Sequence, residues 1–167
     1  MKTLYLVRHA KSSWQYDDID DYDRPLKGRG IRDAHMISQW LADEMSAPSM
    51  LVSSPATRAL HTAMIFARTL NFPFADIKVD DRLYMATSDH LISFLHELSD
   101  DLDSVMVFGH NPTITNFVNR CVDQRVDNVP TSGVVCLHFA EEHWKDVQDS
   151  AELLYFDYPK KRKKSHS

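Results

Sequence analysis

The sequence predicts an α/β protein of three layers, α/β/α, with a mostly parallel central sheet. Short runs rich in β-branched and aromatic residues, which are typical of strands, alternate along the chain with amphipathic segments. In those segments the apolar residues recur every three to four positions, which is typical of helices. Because successive parallel strands need crossover connections that cover the faces of the sheet, this alternation favours a sheet enclosed between two helical layers.

The predicted elements follow in order along the chain. Strands are predicted at residues 3–7, 50–52, 105–108, 133–139 and 153–158. Four helical stripes lie between them, formed by Ile31, Ala34, Ile37, Leu41 and Met45; by Ala59, Ala63, Phe66 and Leu70; by Leu91, Leu95 and Leu98; and by Ile114, Phe117, Val118 and Cys121. Ser54-Pro55 and Asn111-Pro112 each place a capping side chain before a proline, which predicts that the second and fourth helices begin directly after a strand.

Length and composition indicate a single domain at residues 1–159. The chain has 167 residues, of which 43% are hydrophobic, and it contains four glycines, no internal repeat and no low-complexity linker before its last residues. Residues 160–164 are all Lys or Arg, and no acidic residue follows Asp157. Since a run of five cations cannot form a core, residues 160–167 are predicted to be a basic, disordered tail.

Charge and hydropathy exclude several classes of protein. Five of the 19 basic residues lie in the tail, so residues 1–159 carry 14 basic against 24 acidic residues, a net charge of −10 that disfavours nucleic acid as a partner. No apolar stretch approaches the roughly 18 residues of a membrane helix, and residues 3–7 are too short for the core of a secretory signal. Cys121 and Cys136 form no disulfide framework. We therefore expect a cytoplasmic protein that binds neither nucleic acid nor membrane.

Three predicted strand ends carry residues suited to binding an anion. Arg8 and His9 follow the first strand, Arg58 lies shortly after the second, and His110 follows the strand at 105–108. Ligands of open α/β sheets bind at the carboxyl ends of the strands, so these side chains meet if the three strands are neighbours. Guanidinium groups bind phosphate oxygens, and a neutral imidazole can attack phosphorus and form a covalent intermediate. The four residues therefore predict a site for phosphoryl transfer.

The motif around His9 resembles a family signature. Leu6-Val7-Arg8-His9-Ala10 is similar to the Arg-His-Gly signature of the histidine phosphatase superfamily, which includes the cofactor-dependent phosphoglycerate mutases. Further blocks match the family's landmarks in the same order: Asp23-Arg24-Pro25-Leu26 with Gly30; Val52-Ser53-Ser54-Pro55 with Arg58, Ala59, Thr62 and Ala63; Leu83-Tyr84; and Gly109-His110-Asn111-Pro112. The short length and residues 8–14, Arg-His-Ala-Lys-Ser-Ser-Trp, are most similar to the SixA-type phosphohistidine phosphatases.

The resemblance implies a phosphoglycerate mutase-like fold and assigns a role to each residue of the predicted site. It makes His9 the catalytic nucleophile that accepts the phosphoryl group, and it makes Arg8, Arg58 and His110 the catalytic residues that bind the phosphate. It implies no cofactor. Because the arginines already supply positive charge, we also expect catalysis without a metal ion.

The sequence leaves the general acid open. Larger relatives often carry a Glu just before the leucine that Leu83 matches, but this chain has Arg82 there. The candidate donors are Asp81 and Asp18, with Asp20 and Asp23 as further acids of the same loop as Asp18. The missing Glu favours a phosphoramidate substrate, since its leaving nitrogen is basic and is protonated with little help.

We therefore expect a phosphatase that works through a covalent phosphohistidine intermediate, acts on phosphohistidine in a protein and releases inorganic phosphate. Two alternatives remain: a small-molecule phosphomonoesterase of the same superfamily, and a phosphoprotein-binding module without turnover. Other phosphatase chemistries are disfavoured, because the sequence has no P-loop and no arginine at the spacing from Cys121 or Cys136 that a cysteine phosphatase needs. A two-metal site would need several carboxylates at the strand ends, which carry Arg and His instead.

Overall fold

A six-stranded sheet lies at the centre of the structure, a computed structural model that describes residues 1–165. The strands are β1 (Lys2–Arg8), β2 (Met50–Ser53), β3 (Lys78–Val79), β4 (Ser104–Gly109), β5 (Val134–Phe139) and β6 (Glu152–Asp157). The α-helices of the described chain are α1 (Gly28–Glu44), α2 (Thr57–Thr69), α3 (Ser88–His96), α4 (Thr113–Cys121) and α5 (Pro159–Ser165). The predicted α/β class is therefore confirmed.

The strand order places β4 between β2 and β1, the other two strands that carry predicted site residues. The order is β3-β2-β4-β1-β5-β6, in which β3, β2, β4 and β1 run parallel while β5 pairs antiparallel with both β1 and β6. The sheet is thus mostly parallel, as predicted. Because β2, β4 and β1 are neighbours, their carboxyl ends open onto the same edge.

Each face of the sheet packs against its own pair of helices. Leu4 and Leu6 of β1 point to one face, where they join the apolar sides of α3 and α4 in one buried cluster. Tyr5 and Val7 point to the other face and join α1 and α2 in a second cluster. This alternation follows from the two-residue period of a strand. The three-layer α/β/α arrangement is therefore confirmed.

The predicted element positions agree with the structure except in details. Helix α2 begins at Thr57, two residues after Pro55, and helix α4 begins at Thr113, one residue after Pro112. The capping contact at α4 nevertheless forms, since Asn111 Oδ1 accepts a hydrogen bond from the Thr115 N–H at 3.2 Å. The two-residue strand β3 was not predicted, because so short and exposed a segment carries no periodic pattern. Within residues 1–165, no helix is both long enough and apolar enough to span a membrane.

The prediction of a disordered tail at residues 160–167 needs correction, because residues 159–165 form helix α5. Arg162 Nε donates a hydrogen bond to the buried carboxylate of Asp157, and its guanidinium lies over the Trp40 ring, 3.9 Å from the centroid. Lys163 Nζ forms an ion pair with Asp33 of α1 at 2.9 Å. Arg162 and Lys163 therefore pack against acidic and aromatic residues of α1 and β6. Composition alone does not indicate these contacts. The rest of the predicted tail, residues 166 and 167, lies outside the described residues.

Candidate active site

The neighbouring strand ends bring the predicted site residues together. Arg8 pairs with Gly109 in the register of β1 and β4, and the His9 N–H donates to the Gly109 carbonyl at 3.1 Å. On the far side of β4, the Ser54 N–H donates to the Phe108 carbonyl at 2.9 Å. The chain segments that leave β1, β2 and β4 are therefore joined by backbone hydrogen bonds at one point.

Two contacts tie the loop after β1 to the helices beside it. The Ala10 N–H donates to Thr62 Oγ1 at 2.9 Å, and that hydroxyl donates to the Arg58 carbonyl at 2.7 Å within α2. On the other side, Gly30 of α1 lies against the Lys11 backbone so closely that an added Cβ would come within 2.2 Å of the Lys11 carbonyl oxygen. Glycine at position 30 is thus required by this close approach, which fixes the loop that follows His9.

His9 is held in one tautomer by its neighbour in the chain. Its ring is buried, and Nδ1 lies 2.7 Å from the Ala10 carbonyl oxygen. Since a carbonyl oxygen only accepts, Nδ1 carries the proton and Nε2 carries the lone pair. Burial lowers the pKa of His9 to about 3, and the positive charges of the nearby arginines act in the same direction. The ring is therefore neutral at physiological pH and has a free nucleophilic nitrogen.

His110 is the second buried imidazole of the site. Its ring centroid lies 5.2 Å from that of His9, and its Nε2 is hydrogen-bonded to Ser54 Oγ at 2.8 Å. Burial, followed by the positive charge of Arg58, lowers the pKa of His110 to about 4. Its Nδ1 is buried and has no hydrogen-bond partner within the described chain. The hydrogen bond at Nε2 therefore holds this ring in place, while Nδ1 has no hydrogen-bond partner among the described residues.

The two predicted phosphate-binding arginines are anchored through their terminal nitrogens. Arg8 Nη1 donates to the Val129 carbonyl at 3.0 Å, and Arg58 Nη1 donates to the Asp21 carbonyl at 2.6 Å. In both side chains Nε is buried and lacks a hydrogen-bond partner in the part of the chain that the structure describes. Buried donors without partners are rare in proteins, and each can donate to a bound anion. His110 Nδ1 is a third such donor when the Ser54 hydroxyl donates to Nε2, which leaves the ring proton on Nδ1.

Asp21 is part of the site although the sequence did not indicate it. Its Oδ2 accepts hydrogen bonds from Arg58 Nη2 at 2.9 Å and from the Tyr84 hydroxyl at 2.7 Å, and its Oδ1 accepts from Arg24 Nε at 3.0 Å. Partial burial by itself would raise the pKa of this carboxyl, but the three hydrogen bonds outweigh burial and hold the pKa well below its ordinary value. Asp21 is thus an ionised partner of the arginines and not a proton donor at neutral pH.

A cavity of about 340 Å³ opens between these elements. It is lined by the four predicted residues Arg8, His9, Arg58 and His110, and also by Arg24, Trp14 and several polar neighbours. The Arg24 guanidinium stacks on the exposed Trp14 ring, 3.6 Å from its centroid, which places a third arginine at the cavity. The sequence signal for Arg24 as a site residue is its position in the segment that matches the family's Arg-x-Pro-Leu landmark. No carboxylate of the described residues lines the cavity.

The structure does not bring the candidate general acids to this cavity. Asp81 begins a short 3₁₀ helix, Asp81–Leu83, where its carbonyl accepts a hydrogen bond from the Tyr84 N–H and the residue is exposed. Asp18 is an exposed residue of the loop after β1. Neither of them lines the cavity that holds His9. Their role as proton donors therefore gains no support from the geometry.

Comparison with known proteins identifies the family. The model of the histidine phosphatase superfamily (branch 1) matches residues 4–84. The uncharacterized protein Rv1276c of Mycobacterium tuberculosis is 34% identical over 166 residues, which cover 92% of this chain and 100% of that protein. The solved structure of SixA from Agrobacterium tumefaciens has a TM-score of 0.81 and 29% identity, covering 95% of this chain and 98% of that one. The protein histidine phosphatase SixA solved with tungstate has a TM-score of 0.82 and 20% identity, covering 96% and 99%.

The chain therefore belongs to the histidine phosphatase superfamily, and its structure is SixA-like. The expected phosphoglycerate mutase-like fold is confirmed by the same structural matches. Membership of this superfamily supports phosphatase activity, which agrees with a cavity built from arginines and neutral histidines.

Proposed function

We propose that this protein is a protein phosphohistidine phosphatase whose nucleophile is His9. The observation that carries the proposal is the fixed tautomer of His9, in which the Nδ1–H donates to the Ala10 carbonyl and Nε2 keeps its lone pair in a cavity rich in arginine. SixA of Agrobacterium tumefaciens, a proposed phosphohistidine phosphatase, supports the choice of substrate.

In the first step, the Nε2 lone pair of His9 forms a bond to the phosphorus of the substrate. The P–N bond to the substrate imidazole breaks, and its electron pair goes to the departing ring nitrogen. Arg8, Arg58 and His110 stabilise the charge on the three phosphoryl oxygens that do not enter or leave. The buried Nε atoms of Arg8 and Arg58 and Nδ1 of His110, which have no hydrogen-bond partner among the described residues, support this role.

In the second step, water attacks the phosphorus of the phosphorylated His9. The bond between phosphorus and Nε2 breaks, its electron pair returns to Nε2, and inorganic phosphate leaves. The depressed pKa of His9 supports this step, because the ring then departs from phosphorus as a neutral base and is ready for another turnover. The reaction balances with water as its one co-reactant.

The lining of the cavity supports a nitrogen leaving group. An alkoxide must be protonated as it departs, and the described residues place no carboxylic acid in the cavity, while Asp21 is held ionised by its hydrogen bonds. The imidazole of a phosphohistidine takes a proton from water on its other nitrogen near neutral pH, since the pKa of imidazole is about 6.5. That ring then departs as neutral imidazole without help from the enzyme.

A side-by-side assay tests the proposal. We expect kcat/KM for a phosphohistidine protein to exceed that for p-nitrophenyl phosphate and common sugar phosphates by at least about tenfold, or roughly 1.4 kcal/mol of transition-state binding. His9→Ala should abolish both activities, whereas His61→Ala, a change on α2 outside the cavity lining, should preserve them. Equal or faster turnover of a small ester would favour the phosphomonoesterase, and tight binding of the phosphoprotein without turnover would favour a binding module.

A further inference from the structure

A second cavity continues from the candidate active site toward helix α5. It has a volume of about 400 Å³ and shares Thr131 with the cavity that holds His9, so the two adjoin. Its lining includes Arg29 at the start of α1 and both Lys160 and Lys163 of α5. The active-site cavity therefore has beside it, across Thr131, a second cavity lined in part by the basic end of the chain.

This surface concentrates positive charge in an acidic protein. Among the described residues that line the two cavities, eight are Lys or Arg and one, Asp33, is acidic, whereas the whole chain has a net charge of −5. The cations other than the active-site arginines Arg8, Arg24 and Arg58 form what we call the basic strip, which consists of Lys11, Lys27, Arg29, Lys160 and Lys163.

The fold holds the strip in place on both of its sides. Near the active site, the Lys27 N–H donates to the Lys11 carbonyl at 2.9 Å, which keeps these two residues side by side. At the far end, Asp33 lies between the two cations that flank it, 2.9 Å from Lys163 Nζ and 3.9 Å from Arg29 Nε. Because two cations share one carboxylate, the net charge at that end of the strip is positive.

Helix α5 is docked firmly enough to contribute to the strip. The pairing of Arg162 with the buried carboxylate of Asp157 and its stacking on Trp40 attach the helix to β6 and α1. Lys160 occupies the exposed side of this short helix and lines the second cavity. The cations of α5 thus have a fixed position beside the active site.

We propose that the basic strip is the docking surface for an acidic face of the phosphorylated protein substrate. The proposal rests on the proposed function and adds the charge of the partner around its phosphohistidine. A positive strip that leads into the cavity attracts a negatively charged partner and raises its rate of productive encounter. Nucleic acid is the other common polyanion. Its backbone is negatively charged along its whole length, so the acidic remainder of this chain would repel it, which favours a protein partner.

Two synthetic peptides test the proposal. Both carry one phosphohistidine in about 20 residues, a length that spans up to about 65 Å when extended. In the acidic peptide the residues that flank the phosphohistidine include Asp and Glu, and in the neutral peptide Asn and Gln replace them. At low ionic strength we expect kcat/KM of the wild-type enzyme to be at least about fivefold higher for the acidic peptide. At 0.5 M NaCl the difference should shrink to less than about twofold, because salt screens exposed charges.

Charge-reversal variants locate the effect. Arg29→Glu combined with Lys160→Glu should remove the preference for the acidic peptide while leaving kcat/KM for the neutral peptide unchanged. The matched control is Lys78→Glu combined with Lys145→Glu, two exposed lysines outside the strip, which should retain the preference.

Each outcome bears on one proposal or the other. If wild type hydrolyses neither peptide, the proposed function fails. If it hydrolyses both equally well, or if the control removes the preference as the strip variant does, the docking surface is wrong while the function stands. Single-stranded RNA of equal charge should inhibit hydrolysis of the neutral peptide less than the unphosphorylated acidic peptide does. Stronger inhibition by RNA would overturn the choice of a protein partner.

Discussion

Arg58 Nη2 donates a hydrogen bond to the Asp21 carboxylate at 2.9 Å, so the guanidinium proposed to hold the phosphate is already bound to an anionic group of its own chain. The Asp21 main-chain carbonyl accepts a second hydrogen bond from the same guanidinium at 2.6 Å. Asp21 therefore does two things at once. It fixes the orientation of Arg58, and its negative charge offsets part of the positive charge that Arg58 offers to a phosphate.

Removing that charge should strengthen phosphate binding. In Asp21→Asn the amide oxygen still accepts a hydrogen bond from Arg58, while the repulsion between carboxylate and phosphate disappears. We expect the inhibition constant for inorganic phosphate to fall by about fivefold, equivalent to ~1 kcal/mol. Inhibition kinetics measure it, with Asp20→Asn as the control at an exposed neighbouring acid. An unchanged or weaker inhibition by phosphate would show that orienting Arg58 is the larger effect.

The depressed pKa of His9 should make the protein less stable in acid. The unfolded chain takes up a proton on this residue below about pH 6.5, whereas the folded protein does so only near pH 3. The stability contributed by the neutral ring is therefore present above pH 6.5 and is lost as the pH falls from there toward 3. Between pH 7 and 5 the loss amounts to about 2 kcal/mol.

The variant His9→Gln cannot take up this proton, so its free energy of unfolding should fall less over the same interval. Urea unfolding of both proteins at pH 7 and pH 5 measures the difference. Parallel losses of stability in the two proteins would mean that His9 is protonated in the folded state at pH 5.

The phosphoryl group should be trapped on Nε2 of His9. This expectation follows from the hydrogen bond between Nδ1 and the Ala10 carbonyl, which leaves Nε2 as the nitrogen with a lone pair. Rapid quench should yield an adduct that is stable in alkali and labile in acid, and NMR of the denatured phosphoprotein distinguishes the two ring nitrogens. His110→Ala should slow formation of the adduct without moving it. An adduct on His110, on a serine or on Nδ1 would contradict the assignment.

Activity should survive exhaustive chelation. The cavity lining contains Arg8, Arg24 and Arg58, whose positive charges can stabilise the phosphoryl oxygens without a metal ion. We expect kcat/KM to be unchanged after dialysis against EDTA and after addition of Mg²⁺. Loss of activity with EDTA and its recovery with Mn²⁺ or Zn²⁺ would support a metal-dependent mechanism instead.

Helix α5 should stabilise the fold. Arg162→Ala removes the partner of the buried Asp157 carboxylate and uncovers the Trp40 ring, so we expect the free energy of unfolding to fall by about 2 kcal/mol or more. Thermal and urea unfolding measure the change. The control Lys160→Ala, on the exposed side of the same helix, should leave it within about 0.5 kcal/mol of wild type. Equal stability of both variants would mean that α5 is not docked in solution.

The sequence by itself determined the layered fold and the four central residues of the site. Strand and helix periods are local properties, and they located five of the six strands and the helices α1 to α4. Arg8, His9 and His110 could be placed because each directly follows a strand, and parallel strands end at one edge of a sheet. Arg58 followed from the second helix, whose first turn lies at that same edge.

Only the tertiary structure decided which loop residues and which cations complete the site. Asp21 begins a single 3₁₀ turn, Asp21–Asp23, and Arg24 ends it. So short a turn leaves no period in the sequence, and the contacts of these residues with Arg58 and Trp14 depend on how the loop after β1 folds. Asp18 and Asp81 are acids of the same loops, but among the described residues neither of them is paired with an arginine of the cavity, as Asp21 is. The cations at the basic end of the chain are stabilised in a helix by contacts with Asp157, Asp33 and Trp40. Asp33 and Trp40 are distant in sequence and Asp157 is buried, so the sequence does not show that they lie beside this helix.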